Sequence, residues 1–225
     1  MSTFAGKAFV VRIDEQTAFE DSSTLIDDLS FLAGKQVRPI VIAPNAHAAH
    51  AFVRAMNRSG NTAVGLNGAD AAMLPGAGGG IGCVQGGILQ TLTCAGYIPI
   101  IEPTAFSLFG DDLMLEPDEV ARAVAAATEA VRAIFFHALG GVPDPQTAAL
   151  IDELTAAEAL GIADDPAVPL NLRNAVRAAA LGVRAGVGAA QIIDGRIAHA
   201  AIVEVLTQRH LGTQVTGGVF TGNQT

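Results

Sequence analysis

Short apolar segments alternate along the chain with longer segments in which apolar residues return every three or four positions. The first pattern is typical of strands buried in a parallel sheet, and the second is typical of helices that cover such a sheet. The chain is therefore predicted to be a succession of βαβ units around a mainly parallel sheet. The predicted strands are residues 8–13, 38–43, 62–66, 81–84, 97–102, 132–138, 189–193 and 212–215.

Helical periodicity is present between these strands, and local signals mark several helix ends. Asn45 is a good N-cap residue, Pro117 suits a first helical turn, and Gly96 is a good terminator. Pro99 within the strand at 97–102 favours an edge position or a bulge. The glycine-rich segment 75–87 is predicted to be a loop around the strand at 81–84. The predicted helices are residues 17–33, 45–57, 88–95, 117–130, 146–160, 172–185 and 198–209.

The composition is that of one α/β domain. Half of the 225 residues are hydrophobic but only 5% are aromatic, so the core must consist of Ala, Val, Ile and Leu. No linker or internal repeat divides the chain. We expect a single domain over residues 1–215 and a flexible tail over 216–225.

Charge and cysteine content exclude several classes of protein. The net charge is −9 and the 13 basic residues form no cluster, which disfavours nonspecific binding to nucleic acid or anionic membranes. The two cysteines make no disulfide framework, the N-terminus lacks the pattern of a signal peptide, and no apolar stretch is long enough to cross a bilayer. We expect a soluble cytoplasmic protein.

Four sequence blocks occur in a fixed order: AVGLNGADAAML at 63–74, GGILQTLTCAGYIPIIEP at 86–103, LEPDEVARAVAAA at 115–127 and IIDGRIAHA at 192–200. Together they resemble the N-acetylglutamate kinases of the amino-acid-kinase superfamily, over roughly residues 6–215. The resemblance implies a three-layer α/β/α sandwich of the carbamate-kinase-like type, with a mainly parallel central sheet. It also implies an enzyme that uses ATP and Mg to phosphorylate the γ-carboxylate of N-acetyl-L-glutamate in arginine synthesis.

In that family two lysines and two glycine-rich turns surround the phosphoryl group, and this chain departs at each of them. Arg12 stands at the first lysine position, Asp14 and Glu15 replace the glycines after it, and the second turn contains Asn45. The second lysine position falls on Ala175. Carboxylates facing phosphates would repel them by more than about 1 kcal/mol each where water is excluded. Side chains in the turns also block close approach of the backbone.

Other family positions carry the remaining candidates. Asp118 keeps the position of the catalytic aspartate, although a carboxylate in a first helical turn is the simpler interpretation. Met114 takes the place of a substrate-binding asparagine, and the family's hairpin with its substrate-gripping arginine is absent. Gly65 lies in the AVGL block. His137 and Gly141 lie in HALGGV, at the family's nucleotide-side loop, and are candidates to contact a ligand, with an ordinary β–α turn as the alternative.

The remaining motifs are weak. His47 and His50 have a spacing that can hold a metal, but no further ligand is near in sequence, so surface or packing histidines and no metal site are predicted. The segment 75–82, PGAGGGIG, lacks the Lys-Ser/Thr ending of a phosphate loop and is predicted to be flexible. Cys83 and Cys94 are predicted to be buried small apolar residues.

Three functional hypotheses follow. The first is a pseudokinase that binds a small ligand or a partner protein without efficient phosphoryl transfer. The second is a divergent active kinase, in which Arg12 and either Arg173 or Arg177 supply the cations and Asp118 organises them. The third is a structural or regulatory subunit. The resemblance implies pairing through sheet and helix faces, so a homodimer is expected.

Overall fold

The computed structural model describes residues 4–15, 22–58, 60, 62–107, 112–207 and 211–218. Within these residues the strands are β1 (Ala8–Arg12), β2 (Arg38–Ile42), β3 (Ala63–Leu66), β4 (Gly76–Ala77), β5 (Gly80–Ile81), β6 (Ile98–Ile101), β7 (Thr104–Phe106), β8 (Asp112–Met114), β9 (Arg132–Phe136), β10 (Glu153–Thr155), β11 (Ala189–Ile193) and β12 (Thr213–Thr216). The helices are α1 (Ser22–Gly34), α2 (Ala46–Met56), α3 (Gly87–Cys94), α4 (Pro117–Ala127), α5 (Ala156–Asp164), α6 (Leu170–Arg184) and α7 (Ala200–Leu206).

One eight-stranded sheet organises the described residues, in the order β10-β12-β11-β9-β1-β2-β6-β3. Every pairing in it is parallel except that between β11 and β12. β4 pairs with β5 and β7 with β8 in two small antiparallel hairpins. Because β1 is central, its carboxyl end lies between those of β9 and β2.

Helices cover both faces of the sheet, which confirms the predicted three-layer α/β/α architecture. Successive side chains of β1 point to opposite faces of the sheet. Phe9 and Val11 pack among residues of α1, α2 and α7, whereas Val10 packs among residues of α3, α4, α5 and α6. A strand with both faces buried has no polar side, which explains the continuous apolar runs in the sequence. In the part of the chain that the structure describes, no helix has the length and apolarity required to cross a membrane.

The predicted helix at 146–160 is wrong in its first half. The carboxylate of Asp144 accepts the N–H groups of Gln146 and Thr147, which makes a turn instead of a helix. β10 follows, and helix α5 begins only after Thr155. Thr155 and Glu158 form a reciprocal capping box that sets this start.

The edge position expected for the strand with Pro99 is also wrong, because β6 pairs with β3 on one side and β2 on the other. Ile98 donates its N–H to Thr62 on the β3 side. Since successive backbone N–H groups alternate in direction, the nitrogen of Pro99 faces β2. The ladder between β2 and β6 begins at Ile100, so the missing N–H leaves no bond of that ladder unmade.

The glycine-rich segment forms the hairpin of β4 and β5, so the strand predicted at 81–84 is observed only at Ile81. Gly78 and Gly79 have φ angles of 58° and 83° and make its turn. Three further predictions fall partly outside the described residues: the start of the first helix at 17–21, the end of the last helix at 208–209, and the tail beyond residue 218. The predicted closing strand at 212–215 is confirmed by β12.

Candidate functional site

Two predicted catalytic residues, 106 positions apart by their numbers, lie together at the carboxyl edge of the sheet. Arg12 is the last residue of β1, and Asp118 is in the first turn of α4, which begins beside it. Arg12 Nε lies 2.8 Å from Asp118 Oδ1, and Arg12 Nη1 donates to the carbonyl of Phe136, the last residue of β9. One guanidinium therefore joins β1, β9 and α4.

The contact between Arg12 and Asp118 is an ion pair in a nearly dry place. The side chains are 16% and 5% exposed, and the N–H of Arg12 is not directed at the carboxylate as in a good hydrogen bond. Burial raises the pKa of Asp118 above its ordinary value of 3.8; Arg12 opposes this shift and Glu116 adds to it. The positive charge of Arg12 is thus largely committed to an internal partner.

His137 begins the loop that follows β9. Its N–H donates to Ile193, and its ring Nδ1 accepts the N–H of Leu139 at 3.2 Å. The residue is 5% exposed, and its Nε2 is buried without a hydrogen-bond partner in the described part of the chain. Burial lowers the pKa of His137, Arg12 lowers it further, and Asp14 acts in the opposite direction. These effects place the ring of His137 within electrostatic range of both Arg12 and Asp14.

The rest of this loop is fixed by contacts with its neighbours. Val142 N–H donates to Thr213 Oγ1 at 2.8 Å, and Arg196 Nη2 donates to Ala138 at 3.0 Å. A Cβ added to Gly141 would lie 2.9 Å from Thr213 Oγ1. Glycine at this predicted ligand-binding position is therefore required by packing against β12, without reference to any ligand.

The two turns that are glycine-rich in the family are tied to each other here. Asn45 Nδ2 donates to Glu15 Oε1 at 3.0 Å. Asn45 Oδ1 accepts the N–H of Ala48 at 2.9 Å, which confirms the predicted N-cap of α2. The side chains of Glu15 and Asn45 thus join the two turns, and the N–H of Ala48 at the start of α2 is already taken by Asn45.

Gly65 belongs to a different place. It lines a cavity of about 310 Å³ between α2 and the ends of β3 and β6, together with His50, Arg54, Asp70 and Glu102. Cavities of about 500 and 470 Å³ open at the amino edge of the sheet around Arg38. That edge is opposite the carboxyl ends of the strands, where ligands of open parallel sheets usually bind, and it holds none of the predicted site residues.

The further cations of the active-kinase hypothesis are placed elsewhere. Ala175, at the second lysine position, is buried in the core at 1% exposure. Arg177 Nη2 binds the carbonyl of Ala163 and the carboxylate of Asp164, both at 2.8 Å, at the end of α5. Arg173 has a buried Nε without a partner, and no hydrogen bond or ion pair joins it to Asp118 among the described residues.

The structure also shows the surroundings of the two histidines and the two cysteines that the sequence singled out. The residues that the structure describes contain no group of three or more His, Cys, Asp or Glu that could hold a metal. His47 and His50 are both exposed on α2. Cys83 and Cys94 are free and exposed, so their predicted burial is wrong.

Sequence reasoning missed the residues that hold the site together. Glu116 adds to the field at Asp118, and Thr213 and Arg196 anchor the loop after β9. Asp194 was a usable signal, because an aspartate side chain often accepts the backbone N–H two residues on and so closes a local turn. Asp194 indeed accepts from both the backbone and the guanidinium of Arg196.

Comparison with known proteins finds relatives in sequence and in fold. No family model matches the chain. The chain is 32% identical over 179 residues to an acetylglutamate kinase of Synechococcus sp. (strain WH7803), which covers 74% of this chain and 60% of that protein. It is 34% identical over 184 residues to an acetylglutamate kinase of Synechococcus sp. (strain RCC307), with the same coverage of 74% and 60%. The chain thus spans about 60% of the length of these curated relatives.

Solved structures share the fold. N-acetylglutamate synthase from Neisseria gonorrhoeae, complexed with coenzyme A and N-acetyl-glutamate, matches with a TM-score of 0.84 and 19% identity, over 96% of this chain and 61% of that chain. Carbamate kinase from Giardia lamblia bound to AMP-PNP matches with a TM-score of 0.72 and 11% identity, over 96% of this chain and 100% of that chain. Likeness at these identities concerns the fold alone.

The layered fold and its strand order are of the amino-acid-kinase, carbamate-kinase-like type. In sequence, the chain is similar to acetylglutamate kinases over 74% of its length.

Proposed function

We propose that this chain is a degenerate relative of the acetylglutamate kinases that binds a small ligand or a protein partner without efficient phosphoryl transfer. The observation that carries the proposal is the pairing of Arg12 with Asp118 at 2.8 Å. Phosphoryl transfer depends on cations and backbone N–H groups aimed at the moving phosphate. The described ion pair brings one cation, Arg12, to this cluster. That cation is already paired with the carboxylate of Asp118.

The surroundings do not fit the phosphates of ATP. Asp14 and Glu15 follow Arg12 directly, and Glu15 is bonded to Asn45 across the second turn. The carboxylates of Asp14 and Glu15 in the first turn, the second of which reaches Asn45 of the other turn, raise the energy of a bound triphosphate. The residues at this edge therefore do not fit Mg-ATP.

A divergent active kinase is the competing proposal, and Asp118 is the observation in its favour, since it keeps the family position and contacts a cation. ATP and Mg would then be its cofactors. The acetylglutamate kinases that the chain resembles suggest N-acetyl-L-glutamate or a similar carboxylate as the acceptor of the phosphoryl group. The structure brings Arg12 to Asp118 but takes Arg177 to the end of α5, which weakens this alternative.

Binding and turnover of the pure protein distinguish the two. Unfolding is followed with and without Mg-ATP, Mg-ADP and N-acetyl-L-glutamate. A ligand at 100 times its dissociation constant adds about 2.7 kcal/mol of stability, which is roughly 5–10 °C for a chain of this size. We expect no such rise with Mg-ATP and no ADP release coupled to N-acetyl-L-glutamate.

Variants exclude a contaminating kinase. Turnover that disappears in both Arg12→Ala and Asp118→Asn would overturn the proposal and establish the active-kinase alternative. Turnover that persists in both variants would be assigned to a contaminant.

The proposal also includes a cytoplasmic homodimer, since the chain resembles a family whose members pair through sheet and helix faces. Light scattering tests this part separately. A monomeric mass at micromolar concentration would contradict the dimer and leave the rest of the proposal standing.

A further inference from the structure

Arg38 lies between two cavities at the amino edge of the sheet, opposite the site described above. The cavities have volumes of about 500 and 470 Å³, and Arg38 lines both of them. Volumes of this size are typical of sites for small molecules. Arg38 is the first residue of β2, and its partner in the neighbouring central strand is Ala8 of β1. The two cavities therefore adjoin at one arginine beside the middle of the sheet, and they are called the Arg38 cavities below.

The face of β2 that carries Arg38 is the one covered by α3 and α4. Ile40 packs in the cluster that contains residues of those helices, and residues two apart in a strand share a face. The positions on this side are small, since Ala8 is opposite in β1 and Gly87 and Ala127 line the second cavity. A Cβ at Gly87 would meet nothing within 4 Å. Space for a ligand exists here because these positions have little or no side chain.

The guanidinium of Arg38 has no partner among the residues that the structure describes. Its side chain makes no hydrogen bond or ion pair with them, and its nitrogen atoms are not among the buried polar atoms. These nitrogens therefore remain accessible from the Arg38 cavities. The residue as a whole is half-buried, so its donors have lost part of their water without gaining a protein acceptor. An acceptor with negative charge suits them best, because charge-assisted hydrogen bonds are about twice as strong as neutral ones.

The charges around the Arg38 cavities favour an anion. Lys7 and Arg38 line the second cavity against one carboxylate, that of Glu129, and Arg38 is the one charged residue among the described residues that line the first. None of these three side chains belongs to an ion pair within the described part of the chain. Asp14 and Asp118 lie at the other edge of the sheet. An anion at the amino edge therefore meets a local excess of positive charge in a chain of net charge −9.

Three helices end at this edge, and the carbonyl groups of their last turns do not require a cation. In each helix, an N–H group beyond the last turn donates to one of these carbonyls: Val37 to Leu32 in α1, Tyr97 to Leu92 in α3, and Ala130 to Ala125 in α4. Such bonds close a helix locally and satisfy its terminal carbonyls. The negative ends of the helix dipoles are partly compensated in this way, so the full charges of Lys7 and Arg38 dominate the field in the cavities.

We infer that the Arg38 cavities bind a small molecule through its carboxylate or phosphate group, with Arg38 and Lys7 as the residues that hold this group. A guanidinium presents pairs of N–H groups that match two oxygens of either anion, and a lysine ammonium adds a second positive charge. The inference goes beyond the proposed function, because it assigns a separate binding site at the edge of the sheet opposite Arg12 and Asp118.

Calorimetric titration of the pure protein at low ionic strength tests the inference with defined probes. These are inorganic phosphate, succinate, and succinamide as the uncharged counterpart of succinate. We expect saturable binding of phosphate or succinate, and weaker binding as salt is added, because salt screens accessible charges. The anion that binds more tightly identifies the natural group as phosphate or carboxylate. Saturable binding of neither anion, or equal binding of succinate and succinamide, would overturn the inference.

Two variants of equal charge change show whether Arg38 holds the anion. Arg38→Gln removes the guanidinium, and we expect affinity for the anion to fall at least about tenfold, the effect of losing one charged hydrogen bond. The melting temperature without ligand should stay that of the wild type, because the side chain has no partner among the described residues. Arg58→Gln is the matched control, since Arg58 is exposed beyond the end of α2 and lines neither cavity. Equal affinities in Arg38→Gln and Arg58→Gln would show that Arg38 does not hold the anion.

The two cysteines report independently where the anion binds. Cys94 is exposed and lines the first cavity, whereas Cys83 is exposed and lines neither. In the single-cysteine variants Cys83→Ser and Cys94→Ser, the remaining thiol is alkylated with iodoacetamide, an uncharged reagent. A saturating anion should slow the reaction of Cys94 and leave that of Cys83 unchanged. Equal protection of both thiols, or protection of neither, would place the anion outside the Arg38 cavities and contradict the inference.

The same variants separate this inference from the proposed function. Stabilisation by Mg-ATP or N-acetyl-L-glutamate that is lost in Arg38→Gln would belong to the Arg38 cavities and support the inference. Stabilisation that is lost in Arg12→Ala but kept in Arg38→Gln would belong to the carboxyl edge and count against the proposed function. ATP turnover would overturn the proposed function alone, because it leaves the titrations of phosphate and succinate unchanged.

Discussion

Replacement of Arg12 by methionine removes one member of a buried ion pair and leaves the other in place. Asp118 is 4% exposed, so its charge would lose its partner without gaining water. Breaking a buried pair from one side costs about 3–5 kcal/mol. The Arg12 side chain is 16% exposed, which favours the lower end of that range. We expect a loss of about 3 kcal/mol, or roughly 6–12 °C in melting temperature.

The loss of stability in Arg12→Met should increase as the pH rises. Burial already raises the pKa of Asp118 above 3.8, and removal of Arg12 removes the group that opposes this shift. A carboxyl with a folded-state pKa above its unfolded value destabilises the fold as pH rises through the interval between them, and has no such effect below 3.8. The difference between wild type and Arg12→Met should therefore be largest near pH 8 and narrow toward pH 5.

Urea unfolding at several pH values, followed by circular dichroism, measures these differences. Arg122→Met is the matched control, because Arg122 lies on α4, the helix that carries Asp118. Arg122 pairs with Glu119, and the two side chains are 25% and 42% exposed, so its loss should stay below about 1 kcal/mol. The double variant Arg12→Met/Asp118→Leu removes both charges and should recover most of the stability. Equal losses in Arg12→Met and Arg122→Met, or a pH-independent difference, would refute the reasoning.

Substitutions at three further positions test local features by thermal unfolding. Thr155→Ala removes the capping box with Glu158 and should cost about 1 kcal/mol, whereas Thr155→Asp should retain most of the stability; equal values for the two would contradict the cap. Gly141→Ala should cost roughly 1–3 kcal/mol, because φ is +154° and a Cβ would lie 2.9 Å from Thr213 Oγ1. Gly161→Ala, in α5 with nothing within 4 Å, should instead stabilise the protein by about 0.5–1 kcal/mol.

Elements whose cause is local could be predicted closely. Asn45 caps α2 and Pro117 begins α4 as expected, because both effects depend on a few consecutive residues. The strand around Pro99 was assigned correctly, but its place in the sheet was not. Whether a missing N–H matters depends on where the neighbouring ladder begins, and that is a property of the pairing between β2 and β6.

The candidate site could likewise be predicted only in part. The resemblance singled out Arg12 and Asp118, and the structure brings them within 2.8 Å. It does not bring Gly65 or Arg177 to that pair. The link between Glu15 and Asn45 had no signal in the sequence, because the two residues belong to turns after different strands.

The sequence by itself determined the layered α/β architecture, since apolar runs and helical periodicity arise from the burial of strands and helices whatever their neighbours are. It also determined which residue types stand where a phosphate-binding site of this family would have its lysines and glycines. Only the tertiary structure decided that Arg12 pairs with Asp118 and that His137 Nδ1 accepts the N–H of Leu139. Both results depend on the distances between groups and on the exclusion of water around them, and these follow from how β1, β9 and α4 pack.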